Sequence, residues 1–405
     1  MGESSSFAPL HGVRVLELTT SIAGPYGALI LATLGADVIK VEPPGRGDDT
    51  RAWGPPFWHG ESAAFMAMNA GKRSIAIDLK TVDGAGAAAL LASQADVVVQ
   101  NLRPGLAAQL GLGFDDLVPQ NDRLIYCSIS AFGSRGPLAS EPGYDPLMQA
   151  AGGLMSITGE PDGPPVRVGP SIVDQGAGMW CAIGVLAALR ARDAGAGPQL
   201  IDMSLYETAV NWVPYQLVGL LASGVTPRPL GTGIAILAPY QAFRTRDGWV
   251  MIAAGNDRLF QALCDALSLA DLAHDERFAT NADRVANRDA LADLLSVQVA
   301  VASTEECVEL LRAAGIPVAP IEDLEQVATS PQTEALGLLQ SIPHPDVPDF
   351  QLVAPPLSFD GKRLKHNAPP PRLGASSIEI LREANFGTDE IERLLSVGAV
   401  TEGPA

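Results

Sequence analysis

The strongest constraint on this chain is the alternation in its first third. Short β-branched runs alternate there with apolar helical stretches. The runs are VRVLEL at 13–18, ADVIKVE at 36–42, KRSIAIDL, ADVVVQN at 95–101 and RLIYCSIS at 123–130. Between them lie PYGALILATLG and GAGAAALLASQ, and Gly35 ends the first of these as a helix C-terminal glycine does. Strands alternating with helices predict βαβ units and a parallel sheet. Such sheets bind ligands beyond their strand carboxyl ends. Here those ends are residues 19–23, 42–47, 101–104 and 130–133.

The rhythm changes after residue 140. A Gly/Pro-rich loop precedes the long apolar segment QGAGMWCAIGVLAALRARDAG, and the Pro-rich connector VTPRPLG (225–231) follows a second helix. Strand pairs and amphipathic helices beyond it predict a second, smaller α+β domain. A length of 405 residues agrees with two domains.

Charge narrows the ligand. Lys and Arg number 27 against 46 Asp and Glu, a net of −19. That surface repels nucleic acid and anionic membrane, so neither is an expected partner. An anionic ligand must be held by local bases. Lys72, Arg73 and Lys80 lie close together in NAGKRSIAIDLK, and Arg103 follows a strand. Arginine forks match phosphate oxygens and lysine supplies a point charge. The four cysteines are dispersed and the five histidines show no metal-ligand spacing, so no metal is expected. Reduced thiols, no secretory segment and an apolar stretch too short for a bilayer predict a cytoplasmic protein.

Familiar catalytic signatures are missing. The turn after the first strand reads ELTTSIAGPYG instead of GxGxxG, which disfavours NAD or FAD. There is no GxSxG elbow, and no histidine lies between His59 and His274. Asp174 is the sharpest position. It follows SIV, precedes the long apolar helix, and is expected to be that helix's N-cap. An N-cap carboxylate is stabilised as an anion. It can attack a carbonyl, with backbone N–H groups near Gln175 and Gly176 as oxyanion donors. Gly176 and Gly178 are expected to leave room for substrate. The alternative is a purely structural cap.

Taken together, LHGVRVLELTTSIAGP, LGADVIKVEPPGRGDDTR, NAGKRSIAIDLK, ADVVVQNLRPG, LIYCSISAFG, GYDPLMQAAGG, VDQGAGMWCAIGVLAAL and GIPVAPI resemble the family III CoA-transferases. These include the formyl-CoA transferase and carnitine CoA-transferase type. WGPPF, ITGEPDGPPVRVG and APYQAFRTRDG look more like the branch acting on dicarboxylates, such as the succinate–hydroxymethylglutarate (glutarate) CoA-transferases. The resemblance implies an α/β fold with a Rossmann-like large domain from residues 1–225, a small domain at 226–330, and a C-terminal segment, 331–405, returning to the large domain. It also implies open-ring subunits interlocked as a homodimer.

The resemblance further implies the chemistry. Asp174 would be the nucleophile, moving CoA from an acyl-CoA such as succinyl-CoA to a small carboxylic acid. CoA is then a substrate, and no permanently bound cofactor is needed. The family's CoA contacts would fall on Ile22 and Ala23, on Ile77, Asp78, Leu79 and Lys80 after Lys72 and Arg73, on Asn101, Leu102 and Arg103, and on Tyr144 and Asp145. Pro43 and Gln109 replace bases common in the family. The glycine-run loop of formyl-CoA transferases is absent, its region reading GTGIAILAPYQ, which disfavours oxalate and formyl substrates. Ile234, Ala235 and Ile236 are candidates for the acyl pocket, and Arg167 for a second substrate carboxylate. The related α-methylacyl-CoA racemases are the rival, but their catalytic histidine matches Tyr144, and tyrosine is a poor base at neutral pH. A CoA-binding protein without transferase activity is the third reading.

Overall fold

In the computed structural model, which describes residues 7–403, the strand–helix rhythm becomes β1 (Arg14–Leu18), α1 (Ala23–Thr33), β2 (Asp37–Glu42), β3 (Arg73–Ile77), α2 (Val82–Ser93), β4 (Val97–Gln100) and β5 (Ile125–Ser130). Then come α3 (Asp145–Ala151), α4 (Ile172–Asp193), β6 (Gln199–Ser204), α5 (Leu205–Asn211) and α6 (Pro214–Ser223). The next block holds β7 (Tyr240–Arg244), β8 (Trp249–Ala253), α7 (Asp257–Ala266), α8 (Arg288–Val299), α9 (Thr304–Ala313) and β9 (Val318–Pro320). The tail adds α10 (Ser377–Glu383), α11 (Thr388–Ser396) and β10 (Val400–Thr401).

The main sheet runs β10-β3-β2-β1-β4-β5-β6. All neighbours are parallel except β10, which closes the β3 edge antiparallel. The strand order therefore reverses between β1 and β4, and a doubly wound sheet opens its ligand crevice at such a switch point. Side chains alternate across the strands. Leu16, Ile39, Ile75, Val98 and Tyr126 face one layer, where they pack with Leu91 of α2, Leu381 of α10 and Leu394 of α11. Intervening residues face α1 and α4, as the contact of Cys127 with Cys181 shows. On that side β1, β2 and β3 present Glu17, Lys40, Glu42 and Ser74, all buried. Part of the core is therefore ionic.

The chain divides into two compact units. One holds the residues up to Leu154, Val168–Pro214 and the tail from Pro331. The other holds Met155–Arg167 and Tyr215–Ser330. The main stretch of the second unit thus begins eleven residues before the expected 225/226 division, and the unit takes in a segment from the Gly/Pro-rich loop. Its three-stranded antiparallel sheet, β9-β8-β7, packs Phe243, Val250 and Ile252 against Phe260, Leu263, Leu291, Leu295 and Leu311. Buried Arg284 ties its loops together, donating to the carbonyls of Ala238 (2.8 Å) and Phe278 (3.0 Å) and to Asp257 (2.8 Å).

One expectation about α4 changes. The helix has 22 residues and is long and apolar enough to cross a bilayer by length and composition. In this fold Val173, Ala177, Cys181 and Val185 give it a buried face.

Candidate active site

The site is assembled around the first turn of α4. Its N-cap is Ser171, which makes no side-chain cap bond. Asp174 is therefore the third residue of the helix, and the expectation that it caps the helix is corrected. The reason lies 29 positions upstream, at the start of α3. Asp145 Oδ2 accepts the backbone N–H of Val173 at 2.8 Å and of Asp174 at 3.2 Å. The Ile172 N–H donates to the Pro170 carbonyl at 2.8 Å and that of Gln175 to Ser171 at 3.0 Å. The first three N–H groups inside the helix, those of Ile172, Val173 and Asp174, are thereby occupied, and Gln175 opens the regular helical ladder. The expected oxyanion role of the Gln175 N–H is corrected for the same reason, and Gly176 already lies within the helical ladder.

Asp145 is itself locked. It is 2% exposed, and its Oδ1 accepts from Gln149 Nε2 at 2.6 Å. The Gln149 Oε1 in turn accepts the Val168 N–H at 2.8 Å. Asp174, 9% exposed, has been moved in the opposite direction from a capping aspartate. Burial, with the neighbouring Asp145 charge adding to it, pushes its carboxyl up to about 7. Asp174 is thus a carboxyl that ionises near neutral pH.

The glycines of α4 serve packing rather than substrate access. A Cβ on Gly176 would lie 2.8 Å from Trp212 Nε1, and one on Gly178 would lie 2.7 Å from the Ala23 carbonyl. The second contact sets the start of α1 against α4, one turn beyond Asp174.

The crevice at the β1 and β4 ends is built by side chains that hold its backbone. Asn101 Oδ1 accepts the Thr20 N–H at 3.0 Å, and its Nδ2 donates to the Thr20 carbonyl at 2.9 Å. Ser21 sits at φ +70°, and its N–H donates to Asp48 at 3.2 Å. Lys40 Nζ reaches Glu17 (2.9 Å), Asp48 (2.8 Å) and the Thr19 carbonyl (2.9 Å). Lys72 Nζ reaches Glu17 (2.9 Å), Asn69 Oδ1 (2.8 Å) and the Pro25 carbonyl (2.9 Å). Glu42 is gripped by Arg51 through two 2.7 Å bonds and accepts from Ser74 at 2.6 Å.

This arrangement redistributes the expected CoA contacts. The Lys72 side chain is fully buried with three internal acceptors, so it belongs to the ionic core and presents no face to a phosphate. Burial pulls it down to about 8, against the opposing field of Glu17. Arg73 stands at the amino end of β3 and binds Asp37 (2.7 Å) and Glu383 (2.8 Å), at the edge opposite the crevice. Asn101 spends its amide on the Thr20 backbone, and Asp145 on α4. Ile22, Ala23 and Ile77 are buried. The Asp78 N–H donates to the Ala399 carbonyl, Leu79 packs on the core, and the Leu102 N–H donates to Gln100. Lys80 and Arg103 are exposed beyond strand ends, and Tyr144 is 61% exposed. In the second unit Arg167 and Ile236 are exposed, while Arg288 donates to the Ile234 and Ala235 carbonyls.

Sequence reasoning missed Glu17, Lys40, Glu42 and Asp48. The signal was available for three of them. Glu17, Lys40 and Glu42 are charged residues inside or at the carboxyl end of strands whose neighbouring positions are Val, Leu and Ile.

A family model described as CoA-transferase family III matches residues 10–377. The chain is 37% identical over 401 residues to the succinyl-CoA:glutarate CoA-transferase of Mus musculus, spanning 99% of this chain and 92% of that protein. It is 40% identical over 332 residues to an acetyl-CoA:oxalate CoA-transferase of Acetobacter aceti, spanning 82% and 85%. Its fold matches a CAIB/BAIF family protein from Brucella suis with a TM-score of 0.84 at 38% identity, covering 94% of this chain and all of that one.

Proposed function

The chain belongs to CoA-transferase family III, and on that premise we propose that Asp174 carries the transfer covalently. Its carboxylate attacks the thioester carbonyl of an acyl-CoA and expels the CoA thiolate, leaving an aspartyl–acyl anhydride. The thiolate attacks the aspartyl carbonyl, releases the first acid and forms an aspartyl-CoA thioester. The acceptor carboxylate attacks that thioester, displaces the thiolate again and forms a second anhydride. Thiolate attack on its acyl carbonyl yields the new acyl-CoA and restores Asp174. One difficult exchange is divided into easier displacements.

The observation that carries this reading is a buried carboxyl raised to about 7. A more basic carboxylate is the better nucleophile and remains ionised above neutrality. Burial keeps water from the anhydride. The exposed bases Lys80 and Arg103, which follow the carboxyl ends of β3 and β4, are candidates to meet the CoA phosphates.

Succinyl-CoA as donor and a small dicarboxylic acid as acceptor follow the relative from mouse. The relative from Acetobacter aceti makes oxalate the first competing acceptor. The working unit is a homodimer of interlocked open rings. Its support is uncovered apolar surface: α6 buries no residue and exposes Tyr215, Leu217, Val218 and Leu221, and α4 exposes Met179, Trp180 and Ile183. Four buried free thiols suit a reducing cytoplasm.

The test is acid exchange. Purified protein with succinyl-CoA and a panel of glutarate, oxalate and monocarboxylates should form new acyl-CoA and equimolar succinate. Proton exchange at the α-carbon of a 2-methylacyl-CoA in deuterated water, without any acceptor, would instead favour the racemase. Binding without exchange would leave only a CoA-binding protein.

A further inference from the structure

We propose that Asp145 is a positioning residue for Asp174: its carboxylate clamps the first turn of α4 and supplies the negative charge that decides at which pH Asp174 becomes a nucleophile. The inference rests on Asp174 being the acylated group.

The geometry gives Asp145 both roles at once. An acidic residue in the first turn of a helix ordinarily gains from the helix dipole and the free N–H groups there. On α4 that gain goes to another chain segment. Asp145 Oδ2 takes the N–H of Val173 at 2.8 Å and of Asp174 itself at 3.2 Å, so these donors are lost to the Asp174 side chain. The stabilising end of the helix is thus occupied by a like charge. Gln149 fixes the other oxygen at 2.6 Å and is anchored by the Val168 N–H, so the carboxylate cannot swing away without breaking both contacts. Burial at 2% exposure keeps salt from screening the pair.

Among the described residues no other charge competes with it. α1 carries only Tyr26 as a titratable group, and α3 only Asp145. α5 carries Tyr206 and Glu207, and the Glu207 carboxylate accepts from the Ser204 hydroxyl at 2.7 Å. β5 carries Tyr126 and Cys127. β6, which also packs on α4, carries Asp202, whose side chain is exposed. On α4 itself Cys181 is a buried thiol two turns on, and Arg190, Arg192 and Asp193 stand at the far end of the helix. Among the described residues Asp145 is the one charged group that perturbs Asp174. Two neighbouring carboxylates are thereby given unequal environments, Asp145 with three donors and Asp174 with none among the described residues.

The experiment is the pH dependence of kcat/KM for acyl-CoA in the wild type, Asp145→Asn and Asp145→Glu. Wild type should lose activity on the acid side near pH 7. Asp145→Asn removes the charge and should move that limb to lower pH by about one unit, so that activity below the limb, relative to each enzyme's plateau, rises about tenfold. Asp145→Glu keeps the charge and should keep the limb, even where a displaced helix lowers the plateau. Should Asp145→Asn fail to fold by circular dichroism, Asp145→Ser gives the same neutral comparison, because serine also accepts helix N–H groups. A limb that stays put in the folded neutral variant overturns the inference, since a purely structural cap would lower the plateau alone. Mass mapping of the wild-type adduct separates the two ideas. A label away from Asp174 overturns both, whereas a label on Asp174 with an immobile limb overturns only this one.

Discussion

Beneath the β1 loop, Glu17, Glu42 and Asp48 meet Lys40, Lys72 and Arg51, three charges of each sign. At the start of α4, Asp145 and Asp174 adjoin each other, and among the described residues no base acts on Asp174. Both groups are buried, yet their electrostatics are opposite. Burial works against the charge of Glu17, Glu42 and Asp48, but their basic partners outweigh it and hold all three below the usual carboxylate range. At Asp174 burial and a like charge act together and raise it. The first arrangement holds a loop in place. The second leaves a carboxylate with a like charge beside it and no base. Burial alone does not mark an active acid; the sign of what surrounds it does.

Breaking the contrast at its reactive end gives the largest effect. Asp174→Ala should reduce transfer by at least about a thousandfold while CoA binding, measured by calorimetry, persists. Breaking it at the paired end affects folding instead. Lys40→Met strands Asp48 without its ammonium, leaves Glu17 to Lys72 alone, and should cost about 3–5 kcal/mol in denaturant unfolding. Removing the charge at the α4 site carries the opposite sign. Asp174 ionises about three units above its unfolded value, so its folded state holds a proton that the unfolded chain has released between pH 4 and 7. Its contribution to stability is greatest below pH 4 and falls as pH rises to 7. Asp174→Asn should therefore have a higher Tm than wild type at pH 8, with the difference vanishing toward pH 4. The smallest change sharpens the crevice. Arg103→Ala and Lys80→Ala should each raise the KM for acyl-CoA severalfold and leave kcat nearly unchanged.

Much of the first unit was legible because strand runs of alternating type specify a parallel sheet, and the exposed Lys80 and Arg103 were placed near strand ends by the same reading. The α4 cap was not legible. A helix start normally recruits a side chain within three residues, and here it recruits Asp145 from another helix, so Asp174 looked like the cap it is not. Lys72 and Arg73 were misread together. Adjacent residues of a strand face opposite layers, and both were committed to internal acids before any ligand could use them. Asn101 was expected at the crevice and is there, but its amide shapes the loop. The segment Met155–Arg167 joins the second unit through tertiary packing that no local pattern announces.

The central claim is that Asp174 is acylated during turnover. Protein incubated with acyl-CoA and quenched with borohydride should yield a peptide in which Asp174 has become homoserine, and hydroxylamine should instead give its hydroxamate. Modification at any other residue, or an unmodified Asp174 in protein that is turning over, would contradict the account.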